Sequence, residues 1–266
     1  MSTATVAGAV FWLTDNEGDD GVNGETVGYL ISYSNSLPLT LAWHSPYLAL
    51  SAYLFEATSN STYGIAAEVT ASFIQNHMYN GDIVQDFFNV KTCKVTTRQT
   101  IPSYDTGFAI EGLASWANIS GNATWSNLAT RLVSSSAVYS VWTGPDGVII
   151  EVAGEGQPTV FNIDNLENGF KAFLMRGLHE AWLRIPNSLM SKYIKAYITV
   201  QYNALLTMTS NESPGKVYYN SSWTGPAPSE LHPYPQVIAL HLLNPALDIS
   251  QRNSPTVSNS SSPKYH

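Results

Sequence analysis

The sequence predicts an all-α protein: an arc of helical hairpins in which inner helices are ringed by outer ones. Two stretches 62 residues apart share one pattern, an apolar helical run, an Asn-x-Thr, an aromatic and a second helical run. They are Ala57 to Tyr63 with Ala66 and Ala67, then Ile119 to Trp125 with Leu128 and Ala129. Gly169 and Phe170 follow Gly107 and Phe108 at the same spacing and give a third copy. A period of this length holds one helical hairpin, and stacked hairpins bury a core that none buries alone. The third observation is that the two helices of a unit differ. Tyr47 to Phe55, Phe108 to Trp116 and Phe170 to Leu183 are apolar on nearly every face. Tyr63 to Met78 instead keeps Ala66, Phe73, Ile74 and His77 on one side and Glu68, Ser72, Gln75 and Asn76 on the other. Helices apolar all round are enclosed, and helices with one apolar stripe face water, so the pattern reads as an α/α toroid.

Start and stop signals place each element in turn. Ser45 before Pro46 has the order of an N-cap and a first helical position. Asp105, before Thr106 and Gly107, reads as the cap of the second inner helix. Pro186 ends the third inner helix, and Asn187 and Ser188 open its outer companion. Pro235 to Ile249 is a closing helix. Residues 1–249 therefore read as one domain. The tail from Ser250 to His266, rich in Ser, Asn and Pro, has little to bury and is expected to be disordered.

Composition narrows the function. Charged residues make up 12% of the 266, about half of ordinary usage, so Ser, Thr, Asn and Tyr must carry the surface. A net charge of −8 argues against a nucleic-acid partner, whose phosphates need a basic face. No apolar run approaches the roughly 20 residues of a membrane helix. No metal or cofactor is expected. Six Asn-x-Ser/Thr sequons, at Asn60, Asn118, Asn122, Asn211, Asn220 and Asn259, fall at predicted turns or helix ends, where they serve equally as loop residues or as glycan acceptors. Met1 to Leu13 is a poor signal peptide, and Cys93 is the sole cysteine, either lacking a partner or a buried free thiol.

The motifs carry a family resemblance. Ser103, Tyr104, Asp105, Thr106 and Gly107, with Ile110, Glu111 and Gly112 and then Gly121 and Asn122, resemble the Ser-Tyr-Asn-x-Gly, apolar helix, Gly-Asn pattern of fungal glycoside hydrolase family 76. Phe170, Lys171, Ala172, Phe173 and Arg176 resemble its Phe-Lys-Gly-x-Phe-x-Arg helix. Gln201 to Ala204 and Trp223 to Pro226 resemble the C-terminal end of its basidiomycete-type members, so the likeness runs from about Val10 to Ile249. The resemblance implies an (α/α)6 barrel of twelve helices, a secreted or cell-wall protein acting on or binding α-1,6-linked mannan, and a monomer. About seven helices are legible here, so the chain is expected to be the C-terminal part of such a barrel. Leu30 to Pro46 reads as an insert, since the family would run from Gly28 and Tyr29 into the helix at Leu48.

The chemistry is harder to place. Retaining glycoside hydrolysis needs two carboxyl groups about 5 Å apart, one attacking and one protonating the leaving oxygen. The family resemblance implies two consecutive Asp on an inner helix. Asp19 and Asp20 are the only consecutive acidic pair, and between Gly18 and Gly21 they read as a solvated loop. Asp105, standing where the family has Asn, is the other candidate, with its N-cap role as the plain alternative. Lys171 and Arg176 are candidates for binding sugar, against i,i+4 pairs with Glu167 and Glu180. Trp12, Tyr104 and Trp223 are candidate stacking platforms that core packing would equally explain. A non-catalytic carbohydrate-binding relative, or a piece without function, are the competing readings.

Overall fold

The computed structural model describes residues 21–23, 44–89, 94–95, 101–151, 166–185, 188–213 and 216–252. Seven α-helices dominate them: α1 (His44–Thr58), α2 (Ser61–Phe73), α3 (Tyr104–Ser120), α4 (Ala123–Ser136), α5 (Lys171–Arg184), α6 (Ser188–Met208) and α7 (Pro233–Arg252). The odd-numbered helices form a row in which α1 packs on α3, α3 on α5 and α5 on α7, while α2, α4 and α6 lie behind their partners. The helices of the row run parallel. Glu111 meets Arg176, Ser115 meets Glu180 and Asn118 meets the carbonyl of Arg184, so α3 and α5 ascend together. Between α1 and α3, Leu48 lies against Gly112 and Phe55 against Trp116. This is the predicted all-α arc of inner and outer helices.

Burial follows the apolarity of each helix. Every residue of α3 from Tyr104 to Ala117 is buried, whereas α4 buries only the stripe of Trp125, Leu128, Ala129, Leu132, Val133 and Ser136. Close approach of the inner helices depends on glycine. A Cβ on Gly107 would stand 2.6 Å from the backbone of Phe173 and Leu174, and one on Gly112 would stand 2.6 Å from Leu48. Behind the row, Glu68 of α2 accepts from the indole nitrogens of Trp116 at 2.7 Å and Trp125 at 3.0 Å, joining the first two hairpins.

The hairpin turns show the repeat directly. Asn60 and Asn122 are the N-caps of α2 and α4, each accepting from the backbone N–H two residues on, at 3.0 and 2.9 Å. Other starts differ from the sequence reading. α1 already begins at His44, so Ser45 and Pro46 lie in its first turn. Ser103 occupies the cap position of α3, which puts Asp105 inside the helix. The third unit is longer than the first two: Phe108 stacks on Phe173 rather than matching Phe170, and the pairs between α3 and α5 are 65 or 66 residues apart. α7 continues to Arg252, beyond the expected limit at Ile249, with Pro245 inside it.

Small strands decorate the ends. β1 (Gly21–Asn23), β2 (Phe87–Asn89) and β3 (Lys94–Val95) form an antiparallel sheet in the order β1-β2-β3. β4 (Ser210–Ser213) and β5 (Lys216–Tyr219) form a hairpin with Ser210 opposite Tyr219. α2 runs into a π-helical turn at Ile74–Met78. Among the described residues no helix is long and apolar enough to cross a membrane. Trp12, Asp19, Asp20, Cys93, Asn259, most of the Leu30 to Pro46 insert and the tail after Arg252 lie outside the described residues.

Candidate functional site

Two polar groupings lie on the inner row. The first is enclosed at the N-terminal ends of α3 and α5. Tyr104 donates its hydroxyl to Asp86 at 2.9 Å and sets its ring edge-on to Phe170, with centroids 4.6 Å apart. The N–H and hydroxyl of Ser103 both donate to Glu151, and Thr106 accepts from the N–H of Val84 at 3.0 Å. Asp105 and Lys171 are fully buried beside them, and the Lys171 ammonium lies 5.4 Å from the centre of the Trp223 ring. Asp86, Asp105 and Glu151 therefore share an enclosed helix-start region with one lysine. The α3 dipole favours Asp105, in its first turn, whereas a cation in the first turn of α5 is disfavoured and needs counter-charge.

Four candidates thus sit in one layer: Tyr104, Asp105, Lys171 and Trp223. None of them offers an open surface. Trp223 is fully enclosed and its ring face is taken by Lys171. The layer fixes the helix starts and the loops that cross them.

The second grouping lies on the side of the row opposite the outer helices, which reaches solvent through the half-buried Phe173, Arg176, Glu180 and Arg184 of α5 while its α3 members are buried. Phe108, Glu111 and Ser115 follow one stripe of α3, and Phe173, Arg176, Glu180 and Arg184 follow one stripe of α5. Phe108 and Phe173 stack with centroids 4.7 Å apart. The Arg176 guanidinium covers them at 5.0 and 6.0 Å, and the His241 ring of α7 continues the aromatic row 6.1 Å from Phe173. Arg176 holds Glu111 at 2.7 and 2.8 Å, and Tyr53 of α1 donates to the same carboxylate at 2.9 Å. The expected Arg176–Glu180 pair is replaced: Glu180 pairs with Arg184, which also reaches Glu56 at 2.7 Å. Arg176 has left its own helix for the better-buried Glu111, which gives stronger charge-assisted bonds than an exposed i,i+4 pair, whereas Arg184 keeps its i,i+4 pair with Glu180 and adds Glu56 of α1.

The electrostatics of this face follow from burial. Glu111 is only 5% exposed, and loss of water pushes its carboxyl up against the opposing pull of Arg176 and Tyr53. Burial, and then the charges of Glu111 and Glu180, push the Tyr53 hydroxyl up, so it remains a donor. Burial, with the Arg176 charge behind it, pushes the His241 imidazole down. Arg176 is 41% exposed, so it is the candidate cation that reaches the open face. Sequence reasoning missed Tyr53, Phe108, Glu111 as its partner, and His241. The sequence carries no signal for these pairs: the 65-residue offset that sets Phe108 on Phe173, Glu111 on Arg176 and Ser115 on Glu180 is fixed by the packing of α3 on α5.

Among the described residues no group of three or more His, Cys, Asp or Glu could hold a metal ion. A separate groove of about 650 Å³ lies between α6 and α7, lined by Ile198, Tyr202, Leu243 and Leu247, away from both polar groupings.

Comparison with known proteins gives a family match and several structural neighbours. The glycosyl hydrolase family 76 profile matches residues 42–259. An inactive variant of an α-1,6-mannanase of Salegentibacter sp. HEL1_6, with two consecutive aspartates changed to asparagine, was solved with α-1,6-mannotriose. It is similar at a TM-score of 0.65 and 16% identity, over 77% of this chain and 58% of that one. Dfg5 from Chaetomium thermophilum, solved with glucosamine, is similar at 0.62 and 17%, over 78% and 51%. The GH76 α-mannanase of Bacteroides thetaiotaomicron is similar at 0.59 and 16%, over 84% and 57%. The chain spans little more than half the length of these structures. No curated protein matches it.

Proposed function

The chain belongs to glycosyl hydrolase family 76, and from that premise we infer that it supplies one wall of an oligosaccharide groove of the α-mannan type. The observation that carries this reading is the solvent-facing stripe of α5, where the half-buried Phe173, stacked on the buried Phe108, and a half-exposed arginine lie side by side. Sugars present apolar C–H faces to rings and hydroxyls to fixed donors, and a guanidinium held by a buried carboxylate is such a donor. Both bonds from Arg176 go to one oxygen of Glu111, through Nε and Nη2, which leaves the Nη1 hydrogens for a ligand. The finer reading, an extracellular or cell-wall protein of fungal type acting as a monomer, rests on the motif resemblance.

Cleavage is a separate matter from binding. Retaining hydrolysis asks for an attacking carboxylate and a protonated carboxyl within about 5 Å. On the open face Glu111 is held by Arg176 and Tyr53, and Glu180 by Arg184 and Ser115, so each serves a structural partner. The enclosed Asp105 has no open surface. These facts favour the binding role for the described residues, with hydrolysis depending on an adjacent Asp pair such as Asp19 and Asp20 or one supplied from outside this chain.

Two assays test the reading. Titration calorimetry should show weak binding of α-1,6-mannotriose that Arg176→Met abolishes. Incubation of residues 1–266 with α-1,6-mannan should release no detectable sugar. Robust turnover lost in Asp105→Asn, or on changing Asp19 and Asp20, would show that the chain carries its own catalytic pair.

A further inference from the structure

We propose that Asn60 and Asn122 are N-glycan acceptors placed on the edge of the arc formed by the C-terminal ends of its inner helices, and that Asn211 and Asn220 are sequons the fold closes. The six sequons are alike in sequence, and the structure separates those it describes by what each amide nitrogen does. Asn60 and Asn122 stand in the turns that follow α1 and α3, and their side-chain oxygens cap the next helix by accepting from Thr62 and Thr124. Only Oδ1 is used in those caps. Nδ2 takes no part in them, and a sugar attached there keeps the cap bond.

Asn220 is the opposite case. It is fully buried and its Nδ2 donates to the carbonyl of Pro226 at 2.7 Å. Asn211 likewise gives its Nδ2 to the carbonyl of Pro228 at 2.8 Å. A glycan on either nitrogen would leave a single N–H to hold that carbonyl, and its bulk would displace the packed loop carrying Trp223. Asn118 is intermediate: it is exposed, but its Nδ2 donates to the Arg184 carbonyl at 3.3 Å, so a glycan there would crowd a tie between α3 and α5.

Position adds the second argument. α1 and α3 are parallel, so both acceptor turns lie at the C-terminal ends of the inner helices. The enclosed layer of Asp105, Lys171 and Trp223 lies at the N-terminal ends. Bulky, hydrated glycans at Asn60 and Asn122 would coat one edge and leave the other edge free. The donor is a lipid-linked oligosaccharide diphosphate. The amide nitrogen forms a C–N bond to the anomeric carbon as the C–O bond to the diphosphate breaks, and the nitrogen loses one proton.

The test uses the full chain behind a secretory leader in a eukaryotic host. Enzymatic deglycosylation in heavy-oxygen water marks each occupied asparagine as labelled aspartate, read by peptide mass spectrometry. Label is expected at Asn60 and Asn122, with less at Asn118 and none at Asn211 or Asn220. Thr62→Ala and Thr124→Ala each remove an exposed hydroxyl but keep the capping asparagine, so each should lose one glycan on a gel without loss of secretion. If secretion fails, the retained pool is digested and read in the same way. Unlabelled Asn60 and Asn122, or label at Asn220 and Asn211 in folded protein, would overturn the assignment.

Discussion

At the scale of single residues the open face is organised by Arg176. Its guanidinium lies over two phenylalanine rings, holds Glu111 and contributes to the lowered pKa of His241. Arg176→Met keeps the stem on the rings but strands a carboxylate that is only 5% exposed, and it should cost about 1–3 kcal/mol in chemical denaturation. The same change should move the His241 midpoint upward in an imidazole titration followed by NMR, because one of the two causes of its depression is gone. The sign of the stability effect follows. A histidine whose folded pKa lies below 6.5 binds fewer protons folded than unfolded, so it destabilises the fold as pH falls from 6.5 through the folded value. His241→Gln should therefore flatten that part of the melting-temperature profile, and an unchanged profile would contradict the burial of the ring. None of this pairing was legible in the sequence. Arg176 and Glu180 have i,i+4 spacing in one helix, and only the fold shows that the buried Glu111 captures the arginine instead.

At the scale of elements the helices and hairpin turns were legible and the contacts between helices were not. Asn-x-Thr after an apolar run announces a cap and a new helix whatever the surroundings, so the 62-residue repeat was readable at Asn60 and Asn122. Asn122→Ala should cost about 1 kcal/mol. Helix register depends on where backbones touch, which the repeat alone does not say. Gly107 and Gly177 mark that point, since a Cβ on Gly177 would stand 2.0 Å from the Gly107 carbonyl oxygen. Gly107→Ala should cost about 2–3 kcal/mol or more, seen as a fall in melting temperature of roughly 5–10 °C. A neutral outcome would mean that α3 and α5 do not approach this closely. The five short strands escaped the sequence reading because segments of two to four residues leave no period to detect.

At the scale of the molecule, three hairpins and one further inner helix form an arc whose inner row encloses one polar layer at its helix starts and reaches solvent along the Phe173 and Arg176 stripe of α5. Family membership and fold agree on the helical architecture of family 76, and the proposed sugar groove rests on the stacked rings with Arg176. The most direct test is an NMR titration of the labelled chain with α-1,6-mannotriose, following the side chains of Arg176 and His241 and the rings of Phe108 and Phe173. The account predicts saturable shifts at these four residues that vanish in Arg176→Met, with the α6–α7 groove around Tyr202 and Leu247 unchanged. Shifts confined to that groove, or none at any concentration the protein tolerates, would contradict it.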